Sequence, residues 1–279
     1  MQQLMKAAAP RRHMAGRADR ASGEAAFELN VRRLARWVGL IAVLLPFVLI
    51  LPSVWSDTCV RDSISHHYYA GFRGSLFVAS LCVIGTMMVV YRGDSFPWEN
   101  RLTNVAGALV FLVALFPTSG HGCDGEAEFT ARPIVSFAAQ PEIMPPVDET
   151  ILPDQTDAVF ALRSYSETIH VSAAILFFVF LLIYSTYVFP AWQAEDEGDD
   201  GRLKRYKVGR NLFYYAMSAL ILLSLLVIGH QFAGPSFGWE VDPDWNRNNR
   251  LLWWESVALI AFGAGWLVKG RLFGLMPER

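Results

Sequence analysis

Apolar residues gather in six long runs separated by polar stretches that carry most of the prolines and charges. The runs are Trp37 to Trp55, Gly74 to Tyr91, Leu102 to Thr118, Ile169 to Phe189, Asn211 to Phe232 and Leu251 to Val268. Each approaches the roughly 20 residues that carry a helix across a hydrocarbon core, with about 17 to 25 tolerated. Alternation with a period of two is missing, and hydrocarbon admits only helices or closed barrels, so the runs predict helices. The fold expected is therefore all-α, a polytopic bundle of six transmembrane helices. Only the last run holds an acidic residue, Glu255.

Composition agrees with that pattern. Of 279 residues, 53% are hydrophobic and 18% charged, with a mean hydropathy of +0.29. Soluble domains average about 25% charged residues. The formal net charge is only -2, and no basic stripe interleaved with aromatics appears, so nothing points to nucleic acid. The placement of charge is more informative. All Lys and Arg residues except Arg61, Arg73, Arg132, Arg163, Arg247 and Arg250 fall on one side of the expected spans. An excess of cations marks the cytoplasmic side, which predicts N-in and C-in in a bacterial cytoplasmic (inner) membrane.

Three parts follow: a cytoplasmic arm over 1–36, the membrane domain over 37–270 with a long outer loop at 119–165, and a tail over 271–279. The arm reads as disordered over 1–21. It is then amphipathic, with Phe27, Val31 and Leu34 on one face and Arg32, Arg33 and Arg36 at the headgroups. Between the fourth and fifth spans an acidic stretch precedes RLKRYKVGR, whose cations suit anionic lipids at the inner face. The connection between the second and third spans is the shortest, so those helices are expected to be antiparallel neighbours. Pro46 should kink the first helix and Pro117 should end the third. Ala261 and Gly265, and Ser75 and Ala79, are small pairs four apart that would permit close helix approach. Trp37, Trp55, Trp253, Trp254 and Trp266 fit interfacial belts. Cys59 and Cys123 both fall outside the membrane, where oxidising conditions favour a disulfide between them, while Cys82 reads as a buried small hydrophobe.

Five of the six histidines fall at the outer boundary: His66, His67, His121, His170 and His230. Asp57, Asp62, Glu167 and Glu255 lie at similar depth. Ionisable groups inside a membrane are costly and face a bundle interior or cavity, so this band is the candidate site. His66, His170 and His230 are the candidate metal ligands, zinc being the metal that suits imidazole and carboxylate together. Glu255 and Glu167 are the candidate bases. His170 and His230 could instead be axial ligands of a haem. His67 and His121 read as simple loop residues, and Glu255 has Arg250 or Arg73 as structural counter-ions. No HExxH spacing is present.

The segments SISHHYYAGFRGSLFVASLCVIG (63–85), LTNVAGALVFLVALFPT (102–118) and IHVSAAILFFVF (169–180) resemble an uncharacterised family of bacterial six-to-seven-helix membrane proteins. The shared pattern is a Ser-x-x-Tyr-Tyr outer motif, a Phe-Pro-Thr helix end and a His-x-x-Ala helix start. The matching residues are Ser65, Tyr68, Tyr69, Phe116, Pro117, Thr118, His170 and Ala173. A more distant likeness is to the alkaline ceramidase and adiponectin receptor superfamily of seven-helix zinc hydrolases. This chain has the early Ser65 and His66 but no His-x-x-x-His, and one helix fewer. Three functions are compatible with the residues: a metal-dependent hydrolase of a lipid or small amide, a haem-binding redox protein, and a non-enzymatic transporter, sensor or assembly partner.

Overall fold

A computed structural model of the chain describes residues 31–55, 59–70, 72–93, 96–118, 165–191 and 205–271. The arm before Val31, the loop 119–164 with His121 and Cys123, the acidic stretch 192–204 and the tail after 271 lie outside the described residues. The described chain is helical and contains no strand. Its long helices are α1 (Val31–Trp55), α2 (Phe72–Val90), α3 (Glu99–Leu115), α4 (Ser166–Ile183, continued by a π-helical turn, Tyr184–Val188), α5 (Arg205–Ala233) and α6 (Arg250–Lys269).

Five of these helices are long and apolar enough to cross a membrane: α1, α2, α4 with its π-turn, α5 and α6. The third expected span, α3, has 17 helical residues, about 25 Å at 1.5 Å per residue, and falls short of the other five. Between 22% and 50% of the residues in each apolar window are buried, so most of the apolar surface faces outward. Leu44, Phe47, Val105, Ile175, Leu222 and Leu226 are among the exposed side chains. Apolar patches of that extent are the mark of a surface that water does not cover.

Contacts sort the helix ends into two groups. At one end, the Arg36 guanidinium of α1 donates to the Gly270 carbonyl just beyond α6, at 2.5 Å. A cation there completes the last, unpaired carbonyls of the helix. At the same end Trp266 meets Tyr91 edge-on and stacks on Tyr184, with ring centroids 5.0 and 5.4 Å away. Trp266 is thus a core residue and not part of an interfacial belt, whereas Trp37, Trp55 and Trp253 are exposed. Glu99, fully buried at the start of α3, accepts a 2.7 Å hydrogen bond from the Tyr184 hydroxyl and a longer one from Tyr91. The π-turn inserts one extra residue per turn just where Tyr184 meets Glu99, a common accompaniment of buried polar sites. At the opposite end lie Cys59, Arg73, Phe116, His170 and Glu255.

Close packing depends on glycine, though not at the positions the spacing suggested. A Cβ at Gly39 would stand 2.6 Å from the Gly263 carbonyl oxygen, and one at Gly263 would stand 2.8 Å from that of Gly39. Gly85 of α2 and Gly107 of α3 approach each other similarly, and these two helices pack together extensively. Their antiparallel pairing matches the short connection. Ser75 and Ala79 face outward, so they form no helix contact. Gly265 instead accommodates the ring of Phe189. Helix α1 continues through Pro46 and is interrupted at Leu51, immediately before Pro52, which has no N–H to offer. Proline does end α3: Phe116, ahead of Pro117, is extended at φ -108° and ψ 98°.

Gly263→Leu should lower the melting temperature of the detergent-solubilised protein, since overpacking costs about 1–3 kcal/mol. Gly229→Leu should leave it unchanged, because no atom lies within 4 Å of a Cβ there. Equal melting of both variants would remove the glycine contact as the cause.

Candidate functional site

The chain between α1 and α2 folds back onto the start of α6, and hydrogen bonds to Glu255 hold it there. One carboxylate oxygen of Glu255 accepts from the Ile64 N–H at 2.7 Å and from the Ser63 hydroxyl at 2.9 Å. The Leu252 N–H, unpaired in the first turn of its helix, donates back to the Asp62 carbonyl at 2.8 Å. A 3-10 turn, Ser65–Tyr69, follows and runs into α2. Gly74 permits this, because any Cβ there would clash with the Tyr68 carbonyl. Glu255 therefore pairs with neither Arg250 nor Arg73. Arg250 bonds Asp242 at 2.8 Å, and Arg73 donates to Leu49 and Cys59 carbonyls and to the Ser53 hydroxyl.

Within the turn the polar side chains have defined roles. His66 Nδ1–H donates to the Asp62 carboxylate, an i, i+4 pair that is buried. That bond orients the imidazole and makes Nε2 the basic nitrogen of the neutral ring, the arrangement used for general bases. The Ser65 hydroxyl lies 2.9 Å from the Ser63 hydroxyl. The single Ser63 proton is given to Glu255, so Ser65 is the donor in this contact and Ser63 the acceptor. Ser63 is fully buried, whereas Ser65 is partly exposed.

His170 joins this group from α4. Its Nδ1–H donates to the Phe116 carbonyl at 2.6 Å, while Ser166 donates to the Pro117 carbonyl at 2.8 Å. Those carbonyls are unpaired because proline ended α3, so the helix end that Pro117 creates is what seats the first turn of α4. Glu167 is exposed at the start of the helix.

His230 is not brought in. It is exposed on α5, and its ring stacks on Trp239 with centroids 5.5 Å apart. His170 instead bonds the Phe116 carbonyl, so the two rings have different partners. Among the described residues, no group of three or more His, Cys, Asp or Glu side chains is disposed to hold a metal ion, so His66, His170 and His230 do not form a ligand set. His66 and His170 each have Nδ1–H held by an acceptor, an orientation that metal ligands share with general bases.

Three further residues escape sequence reasoning. His67, expected to be a loop residue, is completely buried, with Nδ1–H donating to the Ser63 carbonyl at 2.9 Å and Nε2 without a partner. Its signal was only its place beside His66. Ser63 had none beyond proximity, since its role depends on a carboxylate 192 positions away. Glu99 sits at the head of an apolar run, where it reads as a solvated helix-start charge.

Burial pushes the His67 imidazole down to about 4, against the raising effect of its Ser63 hydrogen bond and with the nearby Arg73 and Arg61 charges adding to the fall. The unfolded chain therefore binds more protons between about pH 6.5 and 4. Stability should be complete above about pH 6.5 and decline as the pH falls towards 4, by up to about 3 kcal/mol. Thermal melting at pH 7.5 and 4.5 checks this, with His67→Gln expected to lose less on acidification than the parent. Identical losses would assign the acid sensitivity elsewhere.

Comparison with family models, with curated proteins and with solved structures yields no match to this chain, so the reading of the site rests on its geometry.

Proposed function

We propose that the chain is an integral membrane hydrolase of a bacterial cytoplasmic membrane, acting on a lipid or small amide at the outer leaflet. The observation that carries this reading is the Asp62–His66 pair at the same helix end as Glu255 and His170. An imidazole fixed by a carboxylate removes a proton from water or a hydroxyl and returns it to a leaving group, work worth about 10²–10⁴ in rate. The surrounding exposed apolar side chains suit a substrate delivered from the bilayer. Glu255 acts here by holding the 62–65 segment and as a proton acceptor, not as a lone base facing substrate.

The topology that goes with this reading has six spans, N-in and C-in. It is supported by the distribution of Lys and Arg and by the Arg36–Gly270 contact, which brings the two ends of the membrane domain to one side. Under it the Glu255 end faces outward and the Glu99 end faces the cytoplasm. The basic stretch that runs into the first turns of α5 then faces anionic inner-leaflet lipids. Cys59 and Cys123 share the oxidising side and form the proposed disulfide, while Cys82 is a free thiol within α2.

Purified protein in nanodiscs should release fatty acid or amine from a panel of lipid esters and N-acyl amides. His66→Ala should lower that rate at least a hundredfold while the protein still elutes as the parent does. A panel with no turnover above the His66→Ala background would overturn the hydrolase reading. A membrane-impermeant maleimide applied to spheroplasts should modify Cys59 and Cys123 only after reduction. Labelling without reductant would remove the disulfide, and failure to label after reduction would reverse the topology.

A further inference from the structure

The Ser65–Ser63–Glu255 series is not needed to orient His66, yet its protons are all directed one way. Glu255 offers an acceptor oxygen and Ser63 donates to it at 2.9 Å. Ser63 in turn accepts from Ser65, at 2.9 Å from the hydroxyl and 3.2 Å from the backbone N–H. With its proton committed and its lone pairs used by Ser65, Ser63 is fully engaged and completely buried. Ser65 is the serine of the series that is partly exposed. A hydroxyl hydrogen-bonded through a relay to a carboxylate is an activated nucleophile, because the proton it must lose has a prepared route. The relay also stands in a 3-10 turn held rigidly between α6 and α2, so its geometry does not have to be assembled when substrate arrives.

We propose that Ser65 is the catalytic nucleophile of this site and forms a covalent acyl-enzyme, an inference that rests on the hydrolase reading above. The Ser65 oxygen bonds to the carbonyl carbon of an ester or amide, and the bond from that carbon to the leaving group breaks with its electron pair going to the leaving group. The Ser65 proton passes to Ser63 as the Ser63 proton passes to Glu255. The leaving group takes its proton from a water molecule through His66. The hydroxide so formed adds to the acyl carbon, and the Ser65 oxygen departs and recovers its proton from Glu255 through Ser63. Acid is released and every group returns to its starting state.

A fluorophosphonate probe tests the nucleophile without knowledge of the natural substrate. Attack forms a bond from the Ser65 oxygen to phosphorus, fluoride leaves with the bonding pair, and the proton travels to Glu255. Applied to the full-length protein in detergent, the probe should add one adduct. Peptide mass spectrometry of the unaltered chain should place that adduct on Ser65. Ser65→Ala should abolish labelling and Ser236→Ala, at an exposed site, should leave it intact. Glu255→Gln keeps an oxygen that can accept from Ser63 and Ile64 but removes the base, so labelling should slow tenfold or more and lose its dependence on acid pH. An adduct on Ser63 or elsewhere, or no adduct at millimolar probe, overturns the assignment. Lipid or amide turnover without an adduct on Ser65 would remove this inference and leave the hydrolase reading standing. An adduct on Ser65 with no turnover would keep the nucleophile and remove that reading.

Discussion

A carboxylate placed inside an apolar helix must be satisfied by neighbours, because hydrocarbon offers it nothing and removing it from water costs several kcal/mol. Glu255 is in that position on α6. Its partners come from the segment linking α1 and α2, through the Ile64 N–H and the Ser63 hydroxyl. The rest of this helix end depends on that attachment. It fixes the segment from Asp62 onward, which sets where the 3-10 turn begins and so where Ser65, His66 and His67 lie. The reciprocal bond from Leu252 to the Asp62 carbonyl makes the docking two-sided. Because each group removes an unpaired partner from the other, the cost of burial is divided and the geometry is specified.

The same constraint acts at α3. Proline halts the helix and leaves carbonyls at Phe116 and Pro117 without intrahelical donors. Ser166 and His170 supply them from the first turn of α4. A rule about backbone satisfaction thus places a histidine at the same helix end as the Asp62–His66 pair. At the other end Glu99 is handled in parallel fashion, with tyrosine hydroxyls in place of backbone donors. The bundle is therefore apolar on its outer surface and along most of its length, with polar chemistry confined to its two ends.

The division of labour among the residues follows from which lone pairs and protons remain after these structural demands are met. Glu255 binds the turn through one oxygen, and the Ser63 hydroxyl is spent on the carboxylate and on Ser65. The proposed chemistry uses the Ser65 hydroxyl and the carboxylate-oriented imidazole of His66. His67, one residue further on, is turned into the core and kept neutral by burial, so adjacent histidines have opposite characters. In a 3-10 turn neighbours point about 120° apart, which is why one can face the site while the next is enclosed.

The sequence by itself determined the helical class, the approximate bounds of the apolar runs, the end of α3 at Pro117 and the pairing of α2 with α3. These depend on local quantities: apolar length, the missing N–H of proline, and a connection too short to reach any other neighbour. It also marked the band of histidines and carboxylates that contains Asp62, His66, His170 and Glu255. Only tertiary structure decided which of them meet. His230 has the same residue type and depth as His170, yet it lies on an outward face of α5 against Trp239, and helix rotation about its axis is not encoded in a uniformly apolar stretch. The glycine contacts likewise moved from the expected small pairs to Gly39 with Gly263, because a four-residue spacing identifies a helix face without naming its partner. Ser63 was illegible for the same reason: its function is a hydrogen bond to a residue 192 positions along the chain, and only the fold brings the two together.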